Sequence, residues 1–313
     1  MSAGGELLER DEAGGPAGMA TFLLVWAGQL VSLLGSGLTH FALGVWVYQR
    51  EGSATDLGAV LLTSAVAGGI CTPFAGALAD RMDRRRLMIH ADAALAVVTL
   101  ALLVLSRTGH LGIGSVLVLS ALGAVAEAFQ GPALASATVA LVPREHLGRA
   151  SGLSHLCISV SQVVCPLAAG FLIGGLGLDG LLLIDLATFT VALVTLLVAR
   201  FPEAPPRDSV AAWRSAWGDL REAVRFVARR PPLWGLVAFA SALNVVLAMV
   251  HIALTPLVLV SGSSLALGHV LSAGGIGMVV GSAAMSGWGG PTRRVRADGP
   301  AAVGQFERPE GSL

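Results

Sequence analysis

The chain has 313 residues, 54% hydrophobic and only 13% charged, with a mean hydropathy of +0.75. Soluble domains carry about 25% charged residues, so most of this surface is not built to face water, and the composition implies an integral membrane protein. Twenty basic residues, all arginine, balance twenty acidic ones, and the zero net charge implies no bulk electrostatic partner such as nucleic acid.

Residues 1–19 are polar and lack the apolar core of a cleaved signal; they read as a disordered cytoplasmic segment. A spanning helix needs about 20 mostly apolar residues. Eight such stretches follow, at roughly 22–48, 57–79, 87–106, 112–135, 150–174, 178–199, 233–260 and 266–288. The second and third are joined by a short turn carrying Arg81, Arg84, Arg85 and Arg86. The cysteines Cys71, Cys157 and Cys165 fall inside apolar stretches without metal-ligand spacing and read as packing residues. Glycine recurs within the stretches, as in Ala273 to Gly277, where small residues let membrane helices approach closely.

The six stretches in 20–200 form one block. Residues 201–232 are the long polar interruption. Trp213, Trp217, Leu220, Val224 and Val227 share one helical face there, with Arg214, Arg221, Arg225 and Arg229 off it. This fits an amphipathic helix on the membrane surface or a solvated linker helix. Residues 233–290 hold two further spans, and 291–313 read as a disordered tail. With eight spans, only Arg50 and Arg107 fall on one side; the other 18 arginines share the side of both termini, which is therefore cytoplasmic.

The turn between spans two and three resembles the signature loop of the major facilitator superfamily, Gly-x-Leu-Ala-Asp-Arg-x-Gly-Arg-Arg. Gly76, Leu78, Ala79, Asp80, Arg81, Arg84 and Arg85 match, and Asp83 replaces the second glycine. Trp26 to Gln29, Trp46 to Gln49, Gly52 to Thr55 and Leu183 to Phe189 are similar to the drug-exporter branch that includes macrolide and siderophore exporters. The resemblance covers nearly all of residues 20–295. It implies an all-α integral membrane fold, with a six-helix N-terminal bundle plus two helices of a second half. It also implies a plasma-membrane exporter of small amphipathic molecules, working by alternating access with proton antiport and no cofactor. The partners are then a small-molecule substrate, protons and the lipid bilayer. Members have two six-helix halves with the substrate site between them, so this chain reads as truncated after its eighth span. A non-transporting membrane scaffold or regulatory subunit is the alternative.

Within that resemblance, Gly76, Asp80, Arg81, Arg84 and Arg85 form a conformational latch: Gly76 allows close packing, Asp80 faces a neighbouring helix end, and the arginines find partners that separate on rocking. Arg86 reads as a topology determinant only. Pro166 and Gly170 match the antiporter motif of helix five, with Cys165 where glycine is usual. An ionisable group at membrane depth is a functional candidate by default. Glu127 and Asp185 are the foremost proton-coupling candidates, each open to a structural hydrogen bond instead. Asp92, five residues past Leu87, is expected near the cytoplasmic interface, with Leu95 where related exporters place arginine. His40, His155 and His251 are further intramembrane polar groups, His40 and His251 reading as neutral hydrogen-bonding residues. Which way Gln29 and Asn244 face is open. No nucleophile–base pair, zinc-protease motif or phosphate loop is present, so an enzyme is not expected.

Overall fold

The computed structural model describes residues 19–79, 82–143, 146–199 and 231–288, with a few positions between 201 and 229. Among these the chain is helical throughout. The elements are α1 (Met19–Glu51), α2 (Ala54–Ala79), α3 (Arg84–Arg107), α4 (Ile113–Leu141), α5 (Leu147–Val198), α6 (Pro231–Ser261) and α7 (Ser264–Trp288). Each is long and apolar enough to cross a membrane.

The 52-residue α5 is two helices meeting at Gly177, whose φ of 64° and ψ of −172° lie in a region open only to glycine. The arms, 147–176 and 178–198, would be about 45 and 32 Å long, each sufficient to span. The seven elements therefore offer eight helical segments long enough to cross, with the break where the sequence places the boundary between spans five and six. At the end of α1, Gly52, with φ of 65°, closes the helix by donating its N–H to the Tyr48 carbonyl at 2.9 Å.

Helix α3 begins three residues before its apolar stretch. The Asp83 side chain caps it, accepting from the Arg86 N–H at 3.1 Å, so the arginine turn forms the first turn of a helix. The segments expected to be disordered, 1–19 (except for helical Met19) and 291–313, and the apolar face Trp213, Trp217, Leu220, Val224 and Val227 lie outside the described residues.

Helix α1 is the centre of the block and lies along both arms of α5. Gly28 and Gly35 sit directly against Thr195 and Thr188 of the second arm, while Gly37 sits against Cys165 of the first. Leu38, Ala42 and Val45 pack with Leu102, Leu103, Leu181 and Leu182 toward one end. Val25, Met88, Ala137 and Leu196 form a second cluster toward the other. Leu62, Val97, Val118 and Phe171 point outward, more than half exposed, as befits lipid-facing side chains.

Helix α7 meets the first arm of α5 through glycines. A Cβ at Gly268 would fall 2.5 Å from the Pro166 carbonyl, and one at Gly170 would fall 2.6 Å from the Ser264 carbonyl. Gly275 closes on the Gln162 carbonyl, and Ser272 Oγ donates to the Val163 carbonyl at 2.6 Å. Gly268→Val is therefore expected to lose about 1–3 kcal/mol through overpacking. Gly274→Val, with no described atom within 4 Å of its Cβ, is expected to stay within about 0.5 kcal/mol. Unfolding in detergent micelles followed by circular dichroism checks this; equal stability of the two variants would refute the contact.

Candidate functional site

A cavity of about 940 Å³ opens between α1, α4, the first arm of α5 and α6. The α1 wall is a single stripe, Trp26, Gln29, Leu33, Ser36 and His40, spaced three and four residues apart as one helical face requires. Glu127 and Gln130, also three apart, face it from α4. His155 and Gln162 come from α5, and His251 and Thr255 from α6. Glu127 is the sole carboxylate among the lining residues, and no arginine or lysine joins it.

Glu127 does not stand alone. Its Oε1 lies 3.1 Å from His40 Nε2, a polar link joining α4 to α1 in the cavity wall that is a salt bridge when His40 is protonated. The sequence leaves the two as separate groups; they lie far apart in the chain and meet only through helix packing.

Asp92, expected near the cytoplasmic interface, lies about 12 Å along α3 from Arg84 and is 0% exposed within the protein. Its carboxylate accepts from Gln29 Nε2 at 2.8 Å and from Gln130 Nε2 at 2.5 Å. Two amides thus serve where a charge partner seemed to be lacking, and Leu95 simply packs in the core beside Ala126 and Phe189. Gln29 faces the cavity, whereas exposed Asn244 donates to the Ala240 carbonyl of its own helix.

Asp185 is buried at 1% exposure between α1, α3 and the second arm of α5. Its Oδ2 accepts from Thr39 Oγ1 at 2.8 Å and Thr99 Oγ1 at 3.1 Å, and its Oδ1 has no partner among the described residues. Asp92 and Asp185 therefore sit behind the cavity wall, and Glu127 on it. Near the opposite end of α3, Arg107 pairs with Asp179 at 2.7 Å and Ser106 Oγ donates to the same carboxylate. This cluster pins α3 to the start of the second arm, two residues past the Gly177 break; the sequence offers no periodic signal for it.

Of the latch residues, Asp80 and Arg81 lie outside the described residues. Gly76 has no described atom within 4 Å of a Cβ position, so the close packing expected of it is found instead at Gly28, Gly35, Gly37 and Gly170. Arg84 Nε donates to Ser136 Oγ of α4 at 2.8 Å. Arg85 donates to the Leu196 and Leu197 carbonyls at 2.8 and 2.7 Å. Those carbonyls belong to the last turn of α5, where helices leave acceptors unsatisfied and favour positive charge. Both partners lie within the six-helix block. Pro166 lines the cavity, Gly170 faces α7, and Cys165 Sγ donates to the Leu34 carbonyl at 3.5 Å. Among the described residues no group of three metal-ligating side chains occurs.

A family model described as Major Facilitator Superfamily matches residues 25–304. Macrolide efflux protein A of Streptococcus pyogenes is 31% identical over 186 residues, covering 59% of this chain and 46% of that protein. The enterobactin exporter EntS of Salmonella typhi is 26% identical over 232 residues, 72% of this chain and 55% of its own. The multidrug efflux pump Tap of Mycolicibacterium fortuitum is 27% identical over 218 residues, 67% and 53% of the two chains. The chain spans about half the length of these relatives.

Replacing Arg85 by alanine is expected to cost about 1 kcal/mol, the value for a charged donor reduced for partial exposure. Arg86→Ala, whose side chain is exposed, is expected within about 0.5 kcal/mol of the parent. Thermal unfolding of both in the same micelles separates capping from topology; an equal loss would refute the capping role.

Proposed function

The chain belongs to the Major Facilitator Superfamily, and we propose that it acts in the export of small amphipathic molecules from the cell, coupled to inward movement of protons. The observation that carries this reading is the cavity itself. It is large enough for a drug-sized molecule, mostly apolar, and bears one carboxylate, Glu127, held by His40. The names of the relatives, a macrolide efflux protein, a siderophore exporter and a multidrug pump, support an export direction.

A proton antiporter needs a group that is charged when open to one side and neutral when open to the other. Glu127 suits that task because it is on the cavity wall and its negative form has a partner already in place. Proton binding to Glu127 removes the attraction to His40 and frees the α1–α4 contact to change, which biases the balance between two states. Asp92 and Asp185 are secondary candidates: each has acceptor bonds from α1 that protonation would alter. Gly76, Asp80, Arg81, Arg84 and Arg85 form the cytoplasmic latch, with Arg84 and Arg85 anchoring the turn to the block. The arginine distribution supports insertion with both ends of this chain cytoplasmic, and the exporter relatives support the plasma membrane.

The test uses this chain purified and reconstituted in liposomes, with a fluorescent amphipathic cation as probe and an imposed pH gradient. Gradient-driven accumulation is expected, falling to the protein-free background in Glu127→Gln and persisting in Arg86→Ala. Absence of transport by this chain under any gradient would favour the scaffold reading. Transport that survives collapse of the gradient would remove the proton-coupling part alone.

A further inference from the structure

Asp92 touches nothing in the cavity, yet both of its partners line it. An ionised carboxylate can only accept hydrogen bonds, whereas a glutamine amide has one accepting and one donating end. Two glutamines sharing Asp92 must therefore both turn their NH₂ groups toward it, Gln29 at 2.8 Å and Gln130 at 2.5 Å. Each Oε1 is then directed away from Asp92, and among the described residues neither accepts a hydrogen bond. Glu127 lies one helical turn from Gln130 on the same face of α4; its Oε1 is engaged by His40, and its Oε2 adds a further acceptor.

We propose that Asp92 is a positioning residue that fixes the Gln29 and Gln130 carbonyls as acceptors toward the cavity, so that the wall selects organic ammonium ions carrying N–H donors. The proposal rests on the cavity being the substrate site and names the chemistry of that substrate. An apolar body fits the leucines and Trp26, and an ammonium group meets Glu127, Gln29 and Gln130. A quaternary ammonium has the same charge and nothing to donate, so it gains only the Coulombic attraction. An anion faces the Gln29 and Gln130 carbonyls and the Glu127 carboxylate; no arginine or lysine lines the cavity, and of its histidines His40, the one beside this acceptor cluster, is already engaged by Glu127. The donor on the same α1 face, Trp26 Nε1, is buried and without a partner; it does not distinguish ligands that differ only at nitrogen.

Asparagine at position 92 breaks the arrangement in a defined way. It keeps one accepting oxygen and replaces the other with a donating NH₂ group. One glutamine keeps its orientation, and the other must turn its carbonyl inward and its NH₂ group toward the cavity. Size and packing hardly change, so a purely structural role predicts the same small effect on every ligand.

The experiment measures equilibrium binding of two probes to the purified full chain in detergent: dansylcadaverine, with a primary ammonium, and its N,N,N-trimethyl derivative. The parent is expected to prefer the primary ammonium by about tenfold or more, since a hydrogen bond to a charged group contributes on that scale. D92N is expected to reduce the preference to about threefold or less, mainly by weakening the primary probe. E127Q is expected to weaken both probes, the loss of a shared charge. Equal affinity of the two probes for the parent, or a preference unchanged in D92N, overturns the proposal while leaving the cavity reading intact. Binding of neither probe to the folded parent overturns both. If D92N does not fold by circular dichroism, Q29M takes its place: it removes one positioned carbonyl at similar length, and an unchanged preference in Q29M overturns the proposal equally.

Discussion

A polar side chain within a membrane must find its partner inside the protein, because hydrocarbon offers none. In this chain that constraint converges on α1. Gln29 reaches Asp92 of α3, Thr39 reaches Asp185 of α5, and His40 reaches Glu127 of α4. Three polar links leave one helix for three different neighbours. Each acidic partner is costly when buried alone, so the block is satisfied only when all four helices close together. Apolar packing favours many arrangements of greasy helices in lipid, since lipid tails are themselves apolar. The polar pairs have far fewer solutions, and they set which face of α1 meets which neighbour. The cavity stripe is what remains: the α1 face left over once Thr39 has turned to Asp185.

Helix existence was legible because hydropathy depends on neighbours in sequence. Eight apolar stretches became seven long helices, the longest of them broken at Gly177 where the fifth and sixth stretches divide. The arginine turn was legible for the same reason, though its role as a helix start required Asp83 to be seen as a cap. Partnership was not legible. His40 and Glu127 are separated by two whole helices, and nothing local distinguishes a histidine with a carboxylate from one without. The two amides that satisfy Asp92 come from α1 and α4, and nothing near Asp92 in the sequence points to either. The three-residue spacing of Glu127 and Gln130 was a usable sign that α4 has a polar face, but its partner helix needed the fold.

The arginine turn shows how one short motif carries two physical roles. Positive charge at the start of α3 opposes that helix's own dipole, which is a poor local choice. The cost is offset because Arg85 turns to the carbonyl end of α5, where positive charge is favoured, and Arg84 turns to Ser136. Topology requires arginine on this side of the membrane, and packing makes use of the arginines already there. Arg86, with an exposed side chain, is left with the topological role.

Two kinds of interface divide the molecule, and the difference bears on how a transporter could move. Within the six-helix block, contacts between helices include carboxylates with two donors each, so a shift by one turn would strand buried acceptors. Between the block and α7, glycines meet carbonyl backbone, the Ser272 hydroxyl meets the Val163 carbonyl, and Leu267 is buried in the apolar core. A displacement along the first arm of α5 must keep glycine against carbonyl, yet it strands no buried carboxylate, while the same displacement of α1 would. A rocking motion needs one rigid unit and one yielding seam. The polar pairs around α1 suit the first, and the glycine contacts at Gly170, Gly268 and Gly275 are the candidate for the second.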